Sequence, residues 1–119
     1  MSKVNIFVQC RLNSSRFPNK IFSKINGKTI IEILLTRLLR CKLINEIVIL
    51  APLKDKKKLN SKNIKIPNIK FFYGNELNVF DRYLKASRIY RSEYIVRITS
   101  DCPLIDPDMV DKMTKIVKK

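Results

Sequence analysis

The sequence has no histidine, only 3 cysteines, only 2 glycines, and 10 acidic residues against 25 lysines and arginines. Without histidine, Ser-His and Cys-His nucleophilic catalysis are excluded, and the commonest transition-metal ligand is missing. Any bound metal should then be a hard, oxygen-liganded ion such as Mg²⁺. Cys10, Cys41 and Cys102 are odd in number and widely spaced, which fits neither a disulfide framework nor a zinc site. No apolar run reaches the roughly 18 residues that a membrane span needs. The opening "MSKVNIFV" lacks the apolar core and small-residue cleavage site of a signal peptide. These absences predict a soluble, cytoplasmic protein. A chain of 119 residues predicts one domain, 1–119, with a modest core.

The shortage of acids leaves a formal net charge of +15. One reading is an acidic partner, either nucleic acid or a phosphate-rich ligand. The other is compositional: Lys, Ile and Asn dominate throughout, as AT-rich coding produces. The lysines are spread along the chain apart from "KDKKK" at 54–58. A nucleic-acid footprint should be clustered, so the compositional reading is favoured.

Strand and helix signals alternate. "KVNIFVQ" (3–9), "EIVILA" (46–51), "IKFFYG" (69–74) and "EYIVRIT" (93–99) read as strands. "TIIEILLTRLLR" (29–40) has helical period, with Ile31, Leu34, Leu35 and Leu38 on one side. Thr29 and Glu32 have capping-box spacing at its start. "NVFDRYLKASRIYR" (78–91) reads as a helix capped by Asn78. "DPDMVDKMTKIVKK" (106–119) opens with Asp106 as cap and Pro107 in the first turn. Its apolar positions Met109, Val110, Met113, Ile116 and Val117 need a partner. The polar segment 52–68 is a short helix or a loop. Strands separated by helices imply an α/β fold, Rossmann-like, with a mostly parallel sheet and flanking helices. Ligands of such sheets bind at the carboxyl ends of the strands. Residues 10–20, 51–58, 74–78 and 99–106 are therefore the places to look for a site.

The first of these is "QCRLNSSRFPNK" (9–20). Small polar residues at a strand exit let backbone N–H groups approach a phosphate, and nearby cations neutralise it. Arg11 and Arg16 can make bidentate forks, and Lys20 supplies a point charge. Asn13 and Asn19 tolerate left-handed backbone, so the loop can turn without glycine. A solvated basic loop is the alternative. "NGKT" (26–29) imitates the end of a P-loop, but the glycine required five residues earlier is Phe22. Gly27 and Lys28 are better read as a turn before the capped helix.

Three stretches together resemble the sugar nucleotidyltransferases. They are "QCRLNSSRFPNK…INGKTIIEILLTRL", "FYGNELNVFDRYLKA" (72–86) and "VRITSDCPLIDP" (96–107). The likeness is greatest to the spore-coat-polysaccharide-type cytidylyltransferases, relatives of CMP–sialic acid and CMP–3-deoxy-octulosonate synthetases. The usual opening there is Q-A-R-x-G-S-S-R-L-P-G-K followed by G-K-P; Asn13 and Asn19 stand here for two glycines and Thr29 for the proline. The resemblance implies attack of a sugar hydroxyl on CTP to give a CMP-sugar and pyrophosphate, for surface polysaccharide biosynthesis. It assigns Arg11, Arg16 and Lys20 to the triphosphate, and the backbone of Asn13 and Ser14 to the nucleotide. Lys20 would stabilise charge at the α-phosphate, and Asp101 would hold Mg²⁺. It points Arg82 toward nucleotide or sugar; the alternative is an exposed helix arginine pairing with Asp81. Arg97 supports Asp101 or pairs at the sheet edge. Cys10 and Cys102 are packing residues. The segment after the second strand is commonly acidic in relatives, but "PLKDKKK" offers no acid to carry over. Family members are usually about twice this length, so the chain reads as an N-terminal half, and its activity alone is in question. A homodimer or a complementary half is the expected protein partner. An inactive nucleotide-binding fragment and a basic nucleic-acid-binding module are the alternatives, the latter ranked last because no matching aromatic motif is present.

Overall fold

The computed structural model describes residues 3–10, 20–75, 77–100 and 104–117, with Lys20 defined by its backbone. Four parallel strands, β1 (Val4–Gln9), β4 (Glu46–Pro52), β5 (Ile69–Gly74) and β6 (Tyr94–Thr99), form one sheet in the order β5-β4-β1-β6. Two short antiparallel strands, β2 (Lys24–Ile25) and β3 (Lys28–Thr29), make a separate hairpin. The helices are α1 (Ile30–Leu38), α2 (Val79–Ile89) and α3 (Pro107–Val117). The α/β fold with a parallel sheet and flanking helices is as the sequence predicts.

Helix α1 forms where its apolar stripe can be buried. Ile31, Leu34, Leu35 and Leu38 are fully buried against Ile6, Val8, Ile47 and Ile49 of the sheet. Each such side chain contributes about 1.5–3 kcal/mol, so packing decides that the helix exists. The cap, worth about 1 kcal/mol, fixes where it starts. Thr29 Oγ1 accepts from Glu32 N at 3.2 Å, and Glu32 Oε1 accepts from Thr29 N and Oγ1. These bonds, that from the Thr29 side chain foremost, hold the Glu32 carboxyl below its usual range. Just upstream, Asn26 (φ 51°) and Gly27 (φ 83°) are both left-handed, the pairing a two-residue hairpin turn requires. "NGKT" is thus the tip and second strand of a hairpin, and no phosphate loop.

The winding direction sets which face each crossover covers. From β1 the chain passes through α1 to β4, then through 53–68 to β5, always in one direction. Both connections cover the same face, and Leu59 and Ile64 are the buried anchors of 53–68. That segment holds a single 3₁₀ turn at Leu53–Asp55 followed by turns. After β5 the chain reverses and crosses to the far side of β1. Right-handed crossovers then demand the other face, and α2 lies there, with Tyr83 and Ala86 packed on Phe7, Val48 and Leu50.

Helix α3 differs from the reading of its apolar residues as one buried face. Val110 and Thr114 are buried, whereas Met109, Met113 and Ile116 are 59 %, 58 % and 72 % exposed. The helix is held by polar ties at its start. Arg37 Nε donates to Ile105 O at 2.7 Å, and the Asp111 carboxylate accepts from the Lys42 and Leu43 amides at 2.9–3.1 Å. These ties fix its roll with Val110 inward and the methionine stripe outward. No helix among the described residues is long and apolar enough to cross a membrane.

Candidate functional site at the carboxyl ends of the strands

Strand β1 is the point where the winding changes direction, so the loops leaving β1 and its new neighbour β6 open away from each other. Ligands of parallel sheets sit in that crevice. Register brings the two exits side by side: Gln9 pairs with Thr99, and Ser100 N donates to Gln9 O at 3.3 Å. The segment 11–19 therefore departs one residue beyond Gln9, and the segment 101–103 departs one residue beyond Ser100. Arg11, Asn13, Ser14 and Arg16 belong to the first segment and Asp101 to the second, and these five lie outside the described residues. The chain returns at Lys20, whose backbone opens a 3₁₀ turn, Lys20–Phe22. Ile21, buried in the core, anchors that return beside α1.

On the α1 face, the exit of β1 ends in Cys10, fully buried, with its amide donating to Leu50 O at 2.9 Å. Burial pushes the Cys10 thiol up to about 12, against a smaller lowering from its hydrogen bond with Ser100, while the Asp55 carboxylate adds to the rise. Such a thiol is no nucleophile at neutral pH, in keeping with its reading as a packing residue. Asp55 itself is buried just after β4, its carbonyl accepting from Lys58 N and Leu59 N at 3.1 and 2.8 Å. It is an acid at the same edge of the sheet that the sequence reading passed over. Its one visible signal is being the sole acid within "PLKDKKK".

On the α2 face, Gln9, Tyr83 and Arg97 form a polar cluster. Gln9 Oε1 accepts from Arg97 Nη2 at 3.1 Å and from the Tyr83 hydroxyl at 3.4 Å. The Arg97 guanidinium lies 5.6 Å from the Tyr83 ring centroid, a cation–π contact. Burial raises the Tyr83 phenol, and the Arg97 charge opposes that rise. Of the two roles open to Arg97 in the sequence, these contacts place it in a sheet-side cluster with the first residue of the motif at 9–20.

Arg82 is not an exposed partner of Asp81. It is 1 % exposed, and its Nη1 donates to Asn75 O. Asp81 instead pairs with Lys85 at 3.1 Å. Asn75 Oδ1 accepts from Leu77 N and Asn78 N at 2.8 and 3.0 Å, so Arg82 and Asn75 together shape the turn that leaves β5. The sheet's carboxyl edge thus carries a buried acid, a cation clamped on glutamine and tyrosine, and an arginine-held turn. Among the described residues no three carboxylates or thiols gather closely enough to hold a metal. A cation at this edge would need Asp101 together with oxygens from a ligand or solvent.

Comparison with known proteins gives a consistent family. The profile of the family described as "Cytidylyltransferase" matches residues 5–119. An uncharacterized protein of Methanocaldococcus jannaschii is 32 % identical over 117 residues, which are 98 % of this chain and 48 % of that protein. The spore coat polysaccharide biosynthesis protein SpsF of Bacillus subtilis is 25 % identical over 117 residues, 95 % of this chain and 49 % of SpsF. Among solved structures, a cytidylyltransferase from Leptospira borgpetersenii superposes with a TM-score of 0.88 at 33 % identity, covering 98 % of this chain and 49 % of that one. A CMP:2-keto-3-deoxy-manno-octonic acid synthetase complexed with CTP shares the fold, with a TM-score of 0.84 at 21 % identity over 98 % of this chain and 48 % of that one. The chain spans about half the length of the relatives it matches.

Proposed function

The chain belongs to the cytidylyltransferase family, and we propose that it is the nucleotide-binding portion of an enzyme that transfers CMP from CTP to a sugar. In that reaction a sugar hydroxyl oxygen attacks the α-phosphorus. The bond from that phosphorus to the oxygen bridging to the β-phosphate breaks, pyrophosphate leaves, and the hydroxyl proton passes to solvent. Such transfer asks the protein mainly for positioning and charge neutralisation. Arg11 and Arg16 grip the triphosphate, the backbone at Asn13 and Ser14 borders the nucleotide, and Lys20 neutralises charge growing at the α-phosphate. Asp101 holds Mg²⁺, which when bound neutralises phosphate oxygens. Arg82 acts at one remove, by holding the turn after β5. A surface-polysaccharide role follows the spore-coat relative.

The observation that carries this reading is the pairing of Gln9 with Thr99 and of Ser100 N with Gln9 O. It starts the cationic loop and the Asp101 loop from neighbouring positions on one edge. The test is a thermal melt with and without CTP and Mg²⁺. A midpoint that rises with both together, and no longer rises in Lys20→Ala or Asp101→Ala, is expected. Stabilisation that survives both substitutions, or a midpoint unmoved by CTP and Mg²⁺, overturns the reading.

A further inference from the structure

Parallel strands are normally covered on both faces, yet β6 is covered on one. Tyr94, Val96 and Ile98 turn toward α3 and the core, while Ile95, Arg97 and Thr99 on the α2 side are exposed. Among the described residues β6 has a single strand neighbour, β1. Its sequence, YIVRIT, carries no proline or glycine and one charge, so it lacks the usual devices that protect an open edge. Beside that edge runs a groove of about 260 Å³, lined by Val4, Tyr94, Val96, Val110, Met113 and Thr114. The outward stripe of α3, Met109, Met113 and Ile116, continues the same apolar surface.

We infer that this surface is the seat of the polypeptide that makes up the other half of the family fold. The seat takes an extended segment along β6 and an apolar segment over Met113. Two observations choose this occupant over a second copy of the chain. The matched relatives are about twice as long, so each carries a comparable mass of polypeptide beyond the matched part. A second copy would instead bring another net charge of +15 against the first, and that repulsion opposes self-association. The Met109–Met113–Ile116 stripe is then an interior surface of the assembled fold.

The surface is read on the chain as one portion of that fold, so its test avoids CTP and relies on mass, amide exchange and melting. The probe is the part of the Methanocaldococcus jannaschii relative outside its match, co-produced with the full 119-residue chain. A one-to-one complex is expected, with slowed amide exchange across 94–99 and across α3. Met113→Glu should leave the melting point of the chain alone within about a degree, as suits a half-exposed surface position. In the complex it should weaken association by about tenfold or more, because a carboxylate is then buried among apolar groups. Four results overturn the inference: no complex, a complex indifferent to Met113→Glu, protection confined to other elements, or a homodimer of the chain alone that Met113→Glu dissociates.

Discussion

Gly74 and Arg82 are packed so closely that a Cβ at residue 74 would stand 2.9 Å from Arg82 Cγ and 3.2 Å from Phe72 Cε2. The glycine ends β5 where the buried guanidinium crosses to Asn75 O. Because Arg82 is enclosed, it cannot swing into solvent to make room. Gly74→Ala should therefore destabilise the fold by about 1–3 kcal/mol, the usual range for overpacking. Chemical denaturation measures this. In the double variant with Arg82→Ala the two losses should sum to more than the observed loss, since the clash needs both side chains. Strict additivity would mean that the two do not meet.

The capping box at α1 gives a second expectation. Thr29→Ala removes the acceptor for Glu32 N and the partner of Glu32 Oε1. A loss of about 1 kcal/mol in urea unfolding is expected, with Thr29→Ser retaining most of the stability. Equal losses for both substitutions would assign the effect to the threonine methyl group.

Glu46 supplies a pH dependence. Burial acts to raise its carboxyl, but hydrogen bonds and charge from Lys3 and Lys70 outweigh burial and hold it below the ordinary 4.5. A depressed carboxyl binds fewer protons folded than unfolded, so its contribution is present above the ordinary value and disappears as pH falls through the folded one. Wild type should be more stable than Glu46→Gln at pH 7, and the gap should close as pH drops below about 4.5. A gap independent of pH down to acid unfolding would show that packing, and not charge, separates the two proteins.

Cysteine chemistry gives a fourth. The Cys10 thiol sits near 12 and is fully buried, while the half-buried Cys41 is raised by burial to about 11. Both should resist alkylation at pH 8. Peptide mapping should find Cys10 modified only at the rate of opening of the β1 region. Prompt labelling of Cys10 in the native protein would contradict the enclosure of that strand exit.

Much of the fold was legible because its patterns are local. The α1 stripe, both caps and the four strands are written in neighbouring residues, and each lies within two residues of its expected limits. What escaped depends on which surface each side chain meets. Arg82 reads as a solvent-facing cation because charged residues are seldom enclosed, and only the bare Gly74 opposite shows how it fits. Asp55 is hidden by its lysine neighbours, although Leu59 and Ile64 pull that segment onto the core. The roll of α3 is invisible in its periodicity, since Met109, Val110, Met113 and Ile116 share one arc. Arg37 and Asp111 choose which of them faces inward. At the site, the strand exits were foreseen; the Gln9–Tyr83–Arg97 cluster was not, because it joins residues from three elements far apart in sequence.

The register of β1 has a consequence for biosynthesis. Val4 pairs with Tyr94 on one side and Asn5 with Glu46 on the other. A ribosome emits the N-terminal strand first, yet its second neighbour is translated almost last. During elongation the nascent strand carries one bare flank, and such long-range pairing is slow to form. Asn5 closes the wait: its side-chain amide, at the bottom of the sheet, bonds Ser92 Oγ at 2.6 Å and Tyr90 O at 3.3 Å just ahead of β6. The late-arriving strand thus meets a docking latch laid down by one of the earliest residues synthesised.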